Sequence, residues 1–365
     1  MLKKIDKSVI ILLFLFLIIS VISIYSASSF LDTKNLYIKQ IIWYLIGFGI
    51  IGIILKIGND FIFKYAYHLY ILGNISLLLV LFFGKNINNA TCWFEIPYIG
   101  TIQPSEFMKI ILIIVLAKMM NEFNNNSLKD EFFFLIKVGI IVMIPSILTF
   151  LEPDTGVVLI YLLITICMLF IAGIRYRWFI ILFTILAITL GSILVLYFFF
   201  EDLFINILGD DFFLRINRLL DWQNKEGYQL EKGITAIASA GIFGHGFNNT
   251  PLYFPEPGTD FIFATFSSNF GLIGSLILFI LLGIFDIKLI LIALKTNSNM
   301  NKLIIAGTVG MLLYQQFQNI GMTYGIIPIT GITLPFISYG GSSLLSYMII
   351  IGIILNMKKK PKLSN

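Results

Sequence analysis

The chain has 365 residues, of which 58% are hydrophobic and only 12% charged, and its mean hydropathy is +0.93. Globular domains carry about 25% charged residues, and no water-facing core of this length hides so much apolar surface, so an ordinary soluble protein is excluded. The net charge of +5 points to basic membrane loops rather than to nucleic acid, because Lys and Arg collect in segments that resist translocation.

A helix needs roughly twenty apolar residues to span a bilayer, and ten runs qualify once flanking residues are borrowed. They cover residues 9–25, 41–55, 67–83, 107–116, 133–151, 157–174, 178–200, 261–285, 303–320 and 339–355. Lys3, Lys4 and Lys7 with Ser26-Ala27-Ser28 imitate a signal peptide, but nine further spans make an uncleaved anchor the simpler reading. With both termini inside, 17 of the 25 basic residues fall on the cytoplasmic side and 8 on the other, the asymmetry expected of this orientation. The expected fold is therefore an all-α polytopic membrane protein of about ten transmembrane helices. Residues 201–260 hold thirteen charges and form one large extracytoplasmic loop, whose apolar stretch 233–246 is expected to fold back onto the bundle.

Charges at membrane depth are costly and mark function by default. Glu106 and Lys109 open the fourth span three residues apart, on one helix face where opposite charges pair. The pair either sets helix depth by snorkelling or walls a polar cavity. Asp260 stands directly before the eighth span in Pro255-Glu256-Pro257-Gly258-Thr259-Asp260. It can cap that helix, as Thr259 can, or serve as a partly desolvated general base. Glu152-Pro153-Asp154-Thr155-Gly156 reads as a turn in which Asp154 caps the sixth span. Gly340-Gly341-Ser342-Ser343 begins the last span; small residues there suit close helix packing or a site that needs close approach. Two cysteines, Cys92 and Cys167, and two histidines, far apart, give no Cys/His metal site, and no phosphate-loop or dinucleotide fingerprint is present.

Several of these stretches resemble one family in order along the chain. Trp93 followed by Gln103-Pro104-Ser105-Glu106-Phe107-Met108-Lys109, then Glu152-Pro153-Asp154-Thr155-Gly156, Arg215 with Leu220-Asp221, and Gly227-Tyr228-Gln229 are similar to motifs of the SEDS proteins. So are Pro255-Glu256 with Thr259-Asp260-Phe261-Ile262-Phe263-Ala264, Asn319-Ile320-Gly321-Met322, and residues 334–343. Cys92, Glu152, Trp222 and His245 depart from the family pattern, where Arg, Gln, Pro and Lys are common. Gln318, Met322 and the short N-terminal segment resemble the RodA (elongation) branch more than the FtsW (division) branch.

The resemblance implies a single SEDS membrane domain over residues 1–365, multi-pass in the cytoplasmic membrane of a bacterium, with cytoplasmic termini. It implies an inverting peptidoglycan glycosyltransferase that polymerises lipid II at the outer face during elongation. Asp260 would be the base, Arg215 and Lys109 the diphosphate partners, and Glu106 the residue that holds Lys109. Trp93 would offer an aromatic face, and Gln229 would bond sugar hydroxyls. No organic cofactor or metal ligand is implied, although a divalent cation such as Mg is admitted. Implied partners are lipid II, membrane lipids and a class B penicillin-binding protein, with no nucleic acid. The alternatives are a lipid II flippase, a division polymerase and a non-catalytic scaffold.

Overall fold

The computed structural model describes residues 6–30, 35–87, 90–96, 100–123, 127–210, 212–213, 216 and 228–357. Each predicted span falls on a helix, overrunning its ends by at most three residues. In chain order these are α1 (Lys7–Ser28), α2 (Leu36–Ile57), the short α3 (Asp60–Lys64), α4 (Ala66–Phe83), α5 (Pro104–Glu122), α6 (Leu128–Leu151), α7 (Thr155–Ile171) and α8 (Tyr176–Phe199). Then come α9 (Glu201–Leu208), α10 (Tyr228–Ser239), α11 (Ile262–Leu294), α12 (Asn299–Thr323) and α13 (Gly341–Asn356). Among the described residues, α1, α2, α4, α6, α8 and α11 are long and apolar enough to cross a membrane by length and composition.

The remaining long helices miss that test in two ways: α7 and α13 are apolar but only 17 and 16 residues long, whereas α5 and α12 are long enough but carry charges and amides. α5, α7, α12 and α13 occupy the centre: α5 packs against α4, α7, α12 and α13, and α12 packs against α7 and α11. Residues from Leu112 to Ala117 are all buried, so α5 is covered on every side, as a helix in the middle of a bundle must be. Such a helix has no lipid face and can carry the charges and amides that a lipid-facing helix cannot. The outer helices show the reverse, with Phe14, Leu45, Phe82, Ile140, Ile185 and Leu276 exposed. That apolar belt is unstable in water and suited to hydrocarbon.

Local signals set the helix ends. The Asp6 side chain accepts from Ser8 N at 3.2 Å to cap α1, Ser127 accepts from Asp130 N at 3.1 Å at α6, and Pro104 occupies the first turn of α5, where its missing N–H costs nothing. Between α4 and α5 lies a small antiparallel sheet, β1 (Lys85–Ile87), β2 (Ala90–Ile96) and β3 (Gly100–Ile102), with Lys85 opposite Trp93 and Phe94 opposite Ile102. No strand was expected there, because three- and seven-residue strands are too short for an alternating pattern to stand out.

The apolar stretch 233–246 packs as its composition suggested. α10 lies along α11, and the turn after it enters a break in α11 at Gly271, whose φ is 64° and ψ −160°. Leu272 N bonds Gly241 O at 3.0 Å and Gly246 N bonds Asn269 O at 3.1 Å, so the groups freed by the break find partners.

Candidate active site

At one end of the bundle, the ends of α5, α7, α11 and α13 surround a cavity of about 440 Å³, with β2 and the segment between α12 and α13 completing its wall. Trp93, Glu106, Asp154, Asp260, Gln315 and Ser342 are among the residues that line it. β2 brings Trp93, half-buried, to the cavity, while the neighbouring Cys92 is buried and its Sγ donates to Glu152 O at 2.9 Å. Burial, with Asp154 and Glu152 beside it, pushes the Cys92 thiol up, so it stays protonated.

Glu106 and Lys109 meet as their spacing predicted, with Nζ to Oε2 at 2.7 Å. Glu106 is 7% exposed and Lys109 0%. Only Glu106 lines the cavity. Lys109 lies behind it, with Nζ 5.4 Å from the centroid of the Tyr347 ring, and Gln315 Nε2 donates to the Tyr347 hydroxyl at 2.8 Å. Taking two charges out of water is expensive; snorkelling is excluded for a lysine with no exposed surface. What Lys109 contributes to the cavity in this arrangement is the field of its charge.

Asp154 caps α7 and also lines the cavity. Its Oδ1 accepts from Val157 N at 3.2 Å and its Oδ2 from Gln103 Nε2 at 2.7 Å. Burial holds its carboxyl at about 6, opposed by the Val157 bond and reinforced by the Glu106 charge. Glu152, two residues earlier, has no exposed surface and is pushed to about 9 by burial and then by Asp154. The capping reading was correct but incomplete: two acids two residues apart in an otherwise uncharged turn were the signal for a site.

Asp260 does not cap α11. The cap position is Phe261, with no side-chain bond, and the Thr259 hydroxyl donates instead to Glu256 Oε2 at 2.7 Å. The Asp260 carboxylate is thus left to the cavity. Its carboxyl sits at about 7, raised by burial first, then by Glu256 and Asp154. Gly331, at φ 71°, lies beside it; a Cβ there would come 3.6 Å from Oδ2, so glycine keeps the carboxylate's flank open.

Of the remaining expected site residues, Gln229 is not brought to this place. Gln229, at the start of α10, donates to Pro255 O at 3.2 Å, tying that helix to the loop that carries Asp260, and it is absent from the cavity wall. Arg215 lies outside the described residues. The described residues lining the cavity include four carboxylates, Glu106, Asp154, Glu256 and Asp260, and no Lys, Arg or His. Among the described residues no three His, Cys, Asp or Glu side chains converge as a metal-binding set. Gln103, Asn319 and Ser338 stood in the family-like motifs without an assigned role, and Gln315 was not singled out; uncharged amides and hydroxyls give no role until their partners are known.

Comparison with known proteins agrees with this architecture. The family model for FtsW, RodA and SpoVE, described as cell cycle protein, matches residues 6–363. A protein of Coxiella burnetii named probable peptidoglycan glycosyltransferase FtsW is 33% identical over 333 residues, covering 88% of this chain and 86% of its own length. The fold is similar, with a TM-score of 0.80, 24% identity and 98% of both chains covered, to a chain from work on structural coordination of polymerization and crosslinking by a peptidoglycan synthase complex. It is also similar to the rod shape determining protein RodA of Thermus thermophilus, with a TM-score of 0.72, 23% identity and 98% of both chains covered.

Proposed function

This chain belongs to the FtsW/RodA/SpoVE family, the SEDS proteins, and from that premise we propose that it is a peptidoglycan glycosyltransferase that polymerises lipid II, with Asp260 as general base. The observation that carries the proposal is a half-buried carboxylate held near neutrality at the wall of a polar cavity, in a multi-pass membrane protein. A general base works best when its pKa lies near the operating pH.

In the proposed reaction the 4-hydroxyl of one lipid-linked disaccharide gives its proton to Asp260 as its oxygen attacks the anomeric carbon of a second. The bond from that carbon to the diphosphate oxygen breaks, its electron pair leaves with polyprenyl diphosphate, and the configuration inverts. Diphosphate leaves without protonation, so the paired acid of a glycosidase is not required. Trp93 supports this reading as an aromatic face for a sugar or lipid. Glu106 and Lys109 support it as a buried pair at the cavity floor, Lys109 offsetting part of the negative charge around the substrate diphosphate. Arg215 is proposed as the direct diphosphate partner, for which a guanidinium is suited, and Gln229 as a residue ordering the loop beside the sugar. One domain over residues 1–365, cytoplasmic termini, an outer-facing cavity and a class B penicillin-binding protein as partner belong to the same proposal.

For the cellular role, Gln318 and Met322 support elongation, while the name of the Coxiella burnetii relative supports division; rescue of cells depleted of RodA or of FtsW discriminates the two. The deciding experiment for the activity is polymerisation by purified protein given lipid II. Glycan strands are expected, and their absence both alone and with a cognate transpeptidase, alongside lipid movement across vesicles, replaces the reading with transport.

A further inference from the structure

Four consecutive carbonyls lead into α11, and each is held by a donor. Pro257 O accepts from Thr265 Oγ1 at 2.8 Å, and Gly258 O from Tyr339 N at 2.8 Å. Thr259 O accepts from Ser338 Oγ at 2.6 Å, and Asp260 O from Asn319 Nδ2 at 2.8 Å. Three of those donors come from α12 and the segment that follows it. The same Asn319 nitrogen also donates to Ile332 O at 2.8 Å, and Ser338 Oγ accepts from Leu334 N at 2.8 Å. Each side chain is therefore a two-way tie between the Asp260 backbone and the wall formed by residues 330–339.

Buried carbonyls need partners, and simple satisfaction accounts for one such bond. It does not account for the placement of all three. Thr259 O and Asp260 O belong to the two peptide groups that flank the Asp260 Cα, so holding both planes fixes the direction of its Cα–Cβ bond and leaves only side-chain rotation free. Two of the donors lie in or next to the segment whose Thr330, Gly331, Ile332 and Tyr339 line the cavity, with Gly331 beside the carboxylate. Asn319 is 0% exposed and Ser338 4%, and neither is part of the cavity lining, so neither touches a substrate. We propose that Asn319 and Ser338 are positioning residues that aim the Asp260 carboxylate at the reacting hydroxyl and keep its surroundings dry. The proposal rests on Asp260 being the base.

Misplacing a reacting group by about 1 Å costs on the order of 10²-fold in rate. In folded, monodisperse protein, Asn319→Ala and Ser338→Ala are each expected to lower kcat by roughly 10- to 100-fold with KM for lipid II unchanged. Water admitted to the loosened site lowers the burial effect on Asp260 beside Glu256 and Asp154, so the acidic limb of the kcat profile is expected at lower pH than in the parent. Ser338→Thr keeps the hydroxyl and is expected to recover most of the loss. In an Asp260→Asn background neither alanine change is expected to lower the residual rate further. A parental kcat and pH limb in both alanine variants, with Asp260→Asn inactive, overturns the positioning role and leaves the base in place. Equal alanine losses with and without Asp260 overturn it too. A fully active Asp260→Asn enzyme instead overturns the base reading itself.

Discussion

Asp260 combines two properties that a surface aspartate lacks: a carboxyl held at about 7 and a backbone tied on both sides of its Cα. As the proposed base it must be ionised, so kcat is expected to rise with pH up to about 7, and to fall about tenfold for each further unit of acidity. Asp260→Ala removes the group, with an expected loss of roughly 10²–10⁴ in polymerisation rate. A flat profile between pH 5.5 and 8 rules Asp260 out of the rate-limiting proton transfer. Glu106 and Lys109 behave as a unit. Either alanine change leaves a buried charge without its partner, at about 3–5 kcal/mol, and changes the field in the cavity, so polymerisation is expected to be impaired. The double change is expected to lower the thermal midpoint by less than the sum of the singles, which a detergent melt of the four proteins reads directly. Glu152 makes a different prediction. Its folded pKa of about 9 lies above the ordinary carboxylate value, so its contribution favours folding below about pH 4 and is lost progressively as pH rises toward 9. Glu152→Gln keeps the shape without the charge and is expected to be more stable than the parent at pH 8, by about 4–5 kcal/mol at most. At pH 5 the two melting points should nearly coincide.

The elements differ in how firmly they are held. α8 has no buried residue and is joined near its start through Glu131, which accepts from Trp178 Nε1 at 2.8 Å and pairs with Arg175 at 3.6 Å. α11 is the opposite case. Its break at Gly271 is closed by the turn after α10, and the two backbones approach so closely that a Cβ on Gly244 would strike Asn269 O, and one on Gly271 would strike Gly244 N. Both glycines also have positive φ, 80° and 64°, which L side chains adopt only at a cost. Gly244→Ala and Gly271→Ala are therefore expected to reduce the yield of monodisperse protein severely. Gly191→Ala in α8, where a Cβ meets nothing within 4 Å, is expected to be harmless and to add slight helix stability. Size-exclusion of fluorescently tagged variants checks all three, and wild-type recovery of Gly271→Ala contradicts the close crossing. The hairpin-like sheet around Trp93 had no legible signature, whereas the ten spans were evident at once. Length and apolarity reveal a membrane helix from its own residues, but a short strand is specified by its neighbours.

For the molecule as a whole, the cavity and the polar ends of the helices define one functional end. The basic asymmetry of 17 to 8 predicts that this end faces out. With both native cysteines replaced by alanine, Glu231→Cys on α10 and Asn297→Cys between α11 and α12, both exposed positions, report opposite sides. A membrane-impermeant thiol reagent on intact cells is expected to label residue 231 and spare residue 297. The reverse pattern places Asp260 on the cytoplasmic side and removes its access to outward-presented lipid II. Much of the architecture was legible because the bilayer imposes it: a lipid-facing span must be long, apolar and internally hydrogen-bonded, and those demands are written in consecutive residues. The pairing of Glu106 with Lys109 was legible for the same reason, since helical spacing alone brings them together. What only the tertiary structure decided is which polar residues converge. Asp154 read as a cap until the end of α5 was placed beside it, and the depth of Lys109 behind Glu106 came only from the packing. Asn319 and Ser338 carried no role until their partners at residues 259 and 260, some sixty and eighty residues away, were known. Hydrogen bonds and burial depend on distances in space, and a bundle folds distant segments together that no local periodicity relates.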